Sequence, residues 1–149
     1  MNRRTLLLGL VAVVAFTILI QFVPVPGLGK DPPVVAEPAW NSAATRALAV
    51  RACFDCHSNE TRWPWYSRIA PVSWVVAHHV AEGRAALNFS NVGASRFGAD
   101  RAARAVRDHA MPPFYYTWLH PDAGLSSAER QTLAAGLRAS LPGPPSSTR

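Results

Sequence analysis

Cys53-Phe54-Asp55-Cys56-His57 is the stretch on which the reading of this 149-residue chain turns. It is a C-x-x-C-H pentapeptide, the sequence signal for covalent attachment of a c-type haem. Two thiols three positions apart can each bond one vinyl group on the same porphyrin edge. The histidine that follows then supplies a nitrogen to the iron. The chain has two cysteines, and both lie in this motif. Other uses of such a pair fit less well. A zinc site needs two more ligands at suitable spacing, and the sequence has no second C-x-x-C and no H-x3-H. A redox dithiol is expected in a βαβ setting, yet no segment shows strong strand alternation. A disulfide across three residues closes a tiny loop and adds little stability. The motif therefore predicts one covalently attached haem c, with Cys53 and Cys56 as thioether sulfurs and His57 as the proximal iron ligand.

The N-terminus says where such a haem would sit. Arg3 and Arg4 precede an apolar run from Leu6 to Ile20, extended past Gln21 by Phe22 and Val23. At roughly 1.5 Å per residue, the run from Leu6 to Val23 is long enough for a bilayer core of about 30 Å. Arginines before the run and none just after it orient the N-terminus toward the cytoplasm. The run ends in Gln21-Phe22-Val23-Pro24-Val25-Pro26, a poor cleavage site, so residues 1–23 read as a retained anchor rather than a signal peptide. The expected location is a single pass through a bacterial inner membrane, with the rest of the chain in the periplasm. Residues 24–40, rich in proline, read as an extended spacer. Residues 41–141 form one haem-binding domain, and 142–149 read as a disordered tail.

Fifteen Lys and Arg against nine Asp and Glu give a net charge of +6, which falls to +4 without Arg3 and Arg4. That excess suits an acidic redox partner or anionic headgroups. The arginines are scattered and the domain is exported, which argues against nucleic acid. The fold class is all-α. A first helix starts at Asn41 or Ser42 as N-cap and runs through Ala52 into the motif. Residues 58–66 have no helical period and read as a loop. Pro71 suits the first turn of a second helix, from Val72 to about Leu87, whose apolar face would be Trp74, Val75, Val76 and Val80. A third helix spans Ala99 to His109. Ser126-Ser127-Ala128-Glu129 is a capping box opening a last helix, with Leu133, Leu137 and Leu141 at core spacing. This order is that of a small cytochrome c, in which haem supplies much of the apolar core.

Several side chains compete for the sixth position on the iron. Met111 is the first choice, because it is the only internal methionine and Pro112-Pro113 stiffens the backbone after it. His78 is the alternative. His79 is its neighbour about 100° round the helix, so only one of the two can face the iron. His109 lies two residues from Met111, and His120 precedes Pro121. The cluster Trp63-Pro64-Trp65-Tyr66 reads as a wall of the pocket, with Arg62 and the indoles placed for the propionates.

The run from Cys53 to Ser67, with Ile69-Ala70-Pro71-Val72-Ser73-Trp74, Gly83-Arg84 and Leu87-Asn88-Phe89-Ser90, closely resembles the bacterial haem-binding domain family. The likeness extends from roughly Ala44 to Leu137. The resemblance implies a membrane-anchored, cytochrome-c-like domain with Cys53 and Cys56 as attachment points and His57 as axial ligand. Met111, His78 and His120 match recurrent positions of the family. The chain is thus expected to be an electron carrier with an unidentified redox partner protein, not an enzyme. The alternatives are a haem-based sensor whose sixth ligand is displaced by a small molecule and, less so, a peroxidase-like enzyme using His78, His79 or His109.

Overall fold

Two serines set helix starts in the way their sequence context predicts. Ser42 has extended backbone, and its hydroxyl accepts the Thr45 N–H at 3.1 Å to begin helix α2 (Ala43–Ala52). Glu129 N–H donates to the Ser126 hydroxyl at 3.3 Å while Ser126 N–H donates to the Glu129 carboxylate at 2.8 Å. This reciprocal box opens α7 (Ser127–Ser140). The computed structural model describes residues 2–141; the expected disordered tail at 142–149 lies outside the described residues. Among the described residues the regular structure is helical, with no strand. It comprises α1 (Arg3–Ile20), α2, α3 (Phe54–His57), α4 (Val72–Ala86), α5 (Ala99–Arg107), α6 (Phe114–Leu119) and α7, with short 3₁₀ turns at Trp65–Arg68, Val92–Ala94 and Pro121–Ala123.

The fold comprises two compact units, and α4 belongs to both. The first takes residues 2–30 and 63–79. Its α1 has no buried residue and is long and apolar enough to cross a membrane. Gln21 caps the end of α1, and its side-chain amide pairs with the main chain of Ala70. Ala70 N–H donates to the Gln21 Oε1 at 2.9 Å, and Gln21 Nε2 donates back to the Ala70 carbonyl at 3.2 Å.

The second unit takes residues 31–62 and 80–141. Leu133 and Leu137 of α7, four residues apart, are fully buried with Ala49 of α2 and with Ala103 and Val106 of α5. A Cβ on Gly136 would collide with the Thr45 side chain, so glycine is what lets α7 pack onto α2 this closely. Beside this helical core, Phe54 stacks on Phe89 with centroids 5.4 Å apart, and Trp40 tilts against Phe89 at the same distance.

Four features depart from the sequence reading. α2 does not run smoothly into the motif: Cys53 breaks it at φ −132° before α3 begins. Residues 31–40 are not a free spacer. Val35 and Ala36 N–H groups both donate to the Ser90 carbonyl, Asp31 pairs with Arg84 at 2.6 Å, and Trp40 sits in the aromatic cluster. Along α4 the buried residues are Ser73, Ala77, Val80 and Gly83, whereas Trp74 and Val75 are exposed. Small side chains at spacings of four, three and three carry the packing there, a pattern that a hydropathy reading passes over. Finally, α5 stops at Arg107, and His109 takes a left-handed φ of 58° that ends the turn.

Glu129 gives this fold a pH signature. The Ser126 backbone N–H, and then Arg51 at 2.6 Å, hold its carboxyl at about 2 against an ordinary 4.5. A folded value below the unfolded one means that the stabilising contribution is complete above the unfolded value and is lost as pH falls toward the folded one. Thermal melts should therefore show Tm falling between pH 4.5 and about 2 more steeply in the native chain than in Glu129→Gln. Parallel curves for the two would show that this carboxylate contributes nothing.

Candidate functional site

The motif occupies a single helical turn. Cys53 N–H completes α2 by donating to the Ala49 carbonyl at 2.9 Å, and the Cys53 carbonyl accepts from His57 N–H at 2.9 Å. Both cysteines are free thiols and half-buried. Burial, chiefly, pushes Cys53 up to about 12 and Cys56 up to about 11. Thiols that hold their protons this firmly are not the lowered-pKa nucleophiles of a redox dithiol. Among the described residues no group of three or more His, Cys, Asp or Glu side chains is placed to hold a metal ion.

His57 is arranged as a ligand is. Its Nδ1 lies 3.0 Å from the Leu87 carbonyl. A carbonyl only accepts, so the proton is on Nδ1 and the lone pair is on Nε2. Burial moves the imidazole pKa below its ordinary value, which keeps the ring neutral. A neutral imidazole with Nδ1–H committed to a main-chain oxygen is the usual outer support of a metal-binding histidine. Two free thiols on the same turn complete a donor set that fits a covalently held haem.

The motif is held by the segment from Gly83 to Ser90. A Cβ on Gly83 would run into the Cys56 carbonyl, so α4 touches the motif main chain directly. Arg84 Nε donates to the Ser58 carbonyl at 2.7 Å, and its other arm reaches Thr61 Oγ1 at 2.9 Å. Phe89 N–H donates to the His57 carbonyl at 2.7 Å. Asn88 Nδ2 donates to the Asn59 side chain at 2.9 Å, and Ser90 Oγ accepts the Asn59 N–H at 2.9 Å.

A second network surrounds Asp55, the residue between the cysteines that sequence reasoning left without a role. Tyr116 Oη donates to Asp55 at 2.6 Å, and Arg62 bonds the same carboxylate through its main-chain N–H, Nε and a terminal nitrogen. Burial and then the Asp55 bond raise the Tyr116 pKa, and the Asp55 bond raises that of Arg62. His120 stacks on Tyr116 with centroids 4.4 Å apart. The signal was thin: an acidic residue in the variable pair of the motif, and a tyrosine after Pro-Pro.

The remaining candidates are placed as follows. Met111 is about one-third exposed and is held through its main chain. Its N–H donates to the Ala105 carbonyl at 2.9 Å and its carbonyl accepts from Arg130 at 3.0 Å. His109 is exposed two residues before it. His78 and His79, with ring centroids 6.1 Å apart, are exposed in the first unit, which also holds Trp63 and Trp65.

A family model described as "Haem-binding domain" matches residues 15–139, which takes in the end of α1 as well as the whole motif and its support. No curated protein matches the chain, and no solved structure does.

Gly83 provides a direct test of the support. Gly83→Ala forces a methyl onto the Cys56 carbonyl and is expected to lower stability by about 1–3 kcal/mol, as overpacking does. It should also reduce haem content per chain. Gly93→Ala is the control, because nothing lies within 4 Å of a Cβ there. Thermal melts and haem absorbance of the two variants should separate; equal behaviour would mean that the contact does not matter.

Proposed function

The chain belongs to the haem-binding domain family, and from that premise we propose that it is a monohaem c-type cytochrome that passes single electrons on the periplasmic side of the inner membrane. One observation carries the reading. Two free thiols precede an imidazole whose Nδ1–H is already engaged by the Leu87 carbonyl, which leaves Nε2 for iron. Cys53 and Cys56 would hold the haem through thioether bonds, and His57 would ligate its iron. Bound in this way, haem supplies a one-electron couple.

The residues set the terms on which that couple works. The Leu87 carbonyl orients the imidazole and raises its basicity. Phe89, fully buried and edge-on to His57 at 6.5 Å, keeps the imidazole's surroundings apolar. Met111 would supply the second iron ligand in this reading, its main chain fixed by Ala105 and Arg130 and followed by Pro112-Pro113. A thioether there raises the potential relative to a second imidazole from His78. Arg62, bonded to Asp55 of the motif, is assigned to the propionates, while Trp65, 77% exposed, is left out of the pocket. Helix α1 is a retained anchor, with Arg3 and Arg4 on the cytoplasmic side. No side chain needs to transfer a proton, so the chain acts as a carrier and works with a separate redox partner protein.

The purified full-length protein allows the test. Cys53→Ala/Cys56→Ala should abolish haem that survives denaturing electrophoresis, and staining that persists would overturn covalent attachment. In the oxidised wild type, Met111 ligation should give the weak far-red sulfur-to-iron absorption, which Met111→Ala removes. Absence of that band, with ready carbon monoxide binding by the reduced wild type, would favour a ligand-binding sensor module instead.

A further inference from the structure

We propose that the segment from Trp65 to Val75 is seated in the headgroup layer of the membrane, with its exposed apolar side chains in contact with lipid. The inference rests on the reading of α1 as a retained membrane helix. Three observations within the first unit carry it.

The first is a tether. Gln21 stands at the C-terminal end of α1, and its amide both donates to and accepts from the main chain of Ala70. With Arg3 and Arg4 in the cytoplasmic headgroups, the helix from Leu6 to Gln21 covers about 24 Å at 1.5 Å per residue, against a ~30 Å hydrocarbon core. Gln21 therefore falls near the far edge of the hydrocarbon, close to the headgroups, and it holds Ala70 at the same level.

The second is exposed apolar surface on either side of that tether. Trp65 is 77% exposed, Ile69 45%, Val72 42% and Val75 52%. The indole at 65 leans edge-on against Tyr66, 5.9 Å away. Tryptophan and tyrosine at the end of a membrane helix form the usual interfacial belt, where an apolar ring carries a polar tip.

The third is charge. All nine acidic residues of the chain lie outside 2–30 and 63–79. Between 63 and 79 the one formal charge is Arg68, which is exposed. A surface that combines aliphatic and indole groups with a lone arginine and no carboxylate matches an anionic headgroup layer, where the arginine stem lies along the acyl boundary and its head meets phosphate. An acidic protein partner would find only one charge to pair with.

Photocrosslinking of the full-length, haem-loaded protein in bacterial membrane vesicles containing labelled phospholipid tests this. Benzoylphenylalanine is placed singly at Val13, Trp65, Val75 and Gln131. Lipid labelling at 65 and 75 should exceed that at 131 several-fold and approach that at 13. Labelling at 13 with no excess at 65 and 75 would overturn the proposal while leaving the anchor intact, and a protein adduct at 65 or 75 in place of lipid would do the same. No labelling at 13 would remove the anchor, and the proposal with it.

Discussion

Helix α4 meets the C-x-x-C-H motif so closely that a Cβ on Gly83 would collide with the Cys56 carbonyl, and the rest of the site follows from that approach. With the two backbones in contact, the next positions along the chain come into register with the motif one after another. Arg84 bonds the Ser58 carbonyl, Leu87 accepts from His57, Asn88 reaches Asn59, and Phe89 donates to the His57 carbonyl. Main-chain groups make the contacts that matter most, so the imidazole's orientation depends on backbone geometry rather than on a single replaceable side chain. The buried polar groups are also paired with one another, which spares the site the desolvation penalty of orphaned donors.

What was legible in the sequence was local. Ser42 and the Ser126–Glu129 box declare helix starts because a cap is satisfied within three or four residues of itself. The C-x-x-C-H motif is legible for the same reason, since it lies within five consecutive positions. The all-helical class and an apolar N-terminal helix also followed from periodicity and composition. What remained hidden depends on contacts far apart in the chain. Trp40 reads as the end of a proline-rich spacer until Phe54 and Phe89 are seen to receive it. On α4, Trp74 and Val75 dominate any hydropathy count, yet the buried positions are those of Ser73, Ala77, Val80 and Gly83. Close packing selects small residues, and small residues leave a faint apolar signal. Asp55 gave no sign of its partners, because Tyr116 lies 61 positions away.

The two units differ in chemical character as well as in helices. The first is apolar and cationic, with its exposed surface built from indole, isoleucine and valine. The second holds all nine Asp and Glu side chains, and seven of them pair with arginines: Asp31 with Arg84, Glu37 with Arg46, Asp55 and Asp122 with Arg62, Glu82 with Arg96, Asp100 with Arg138 and Glu129 with Arg51. The pairs with both partners in solvent contribute little stability each, whereas the Asp55 carboxylate is buried. Residues 31–62 and 80–141 carry ten basic against nine acidic residues, so the second unit is nearly balanced, while the first has no Asp or Glu.

The motif and the segment that supports it belong to one unit, while residues 63–79, which join them along the chain, belong to the other. In polymer terms the support closes a loop, and the entropy of closure depends only on the logarithm of loop length. Doubling or halving such a loop changes the closure cost by about 0.6 kcal/mol. The part of that stretch before α4, residues 63–71, can therefore lengthen or shorten at little cost in closure entropy. Evolution can alter one part of this chain without having to rebuild the other.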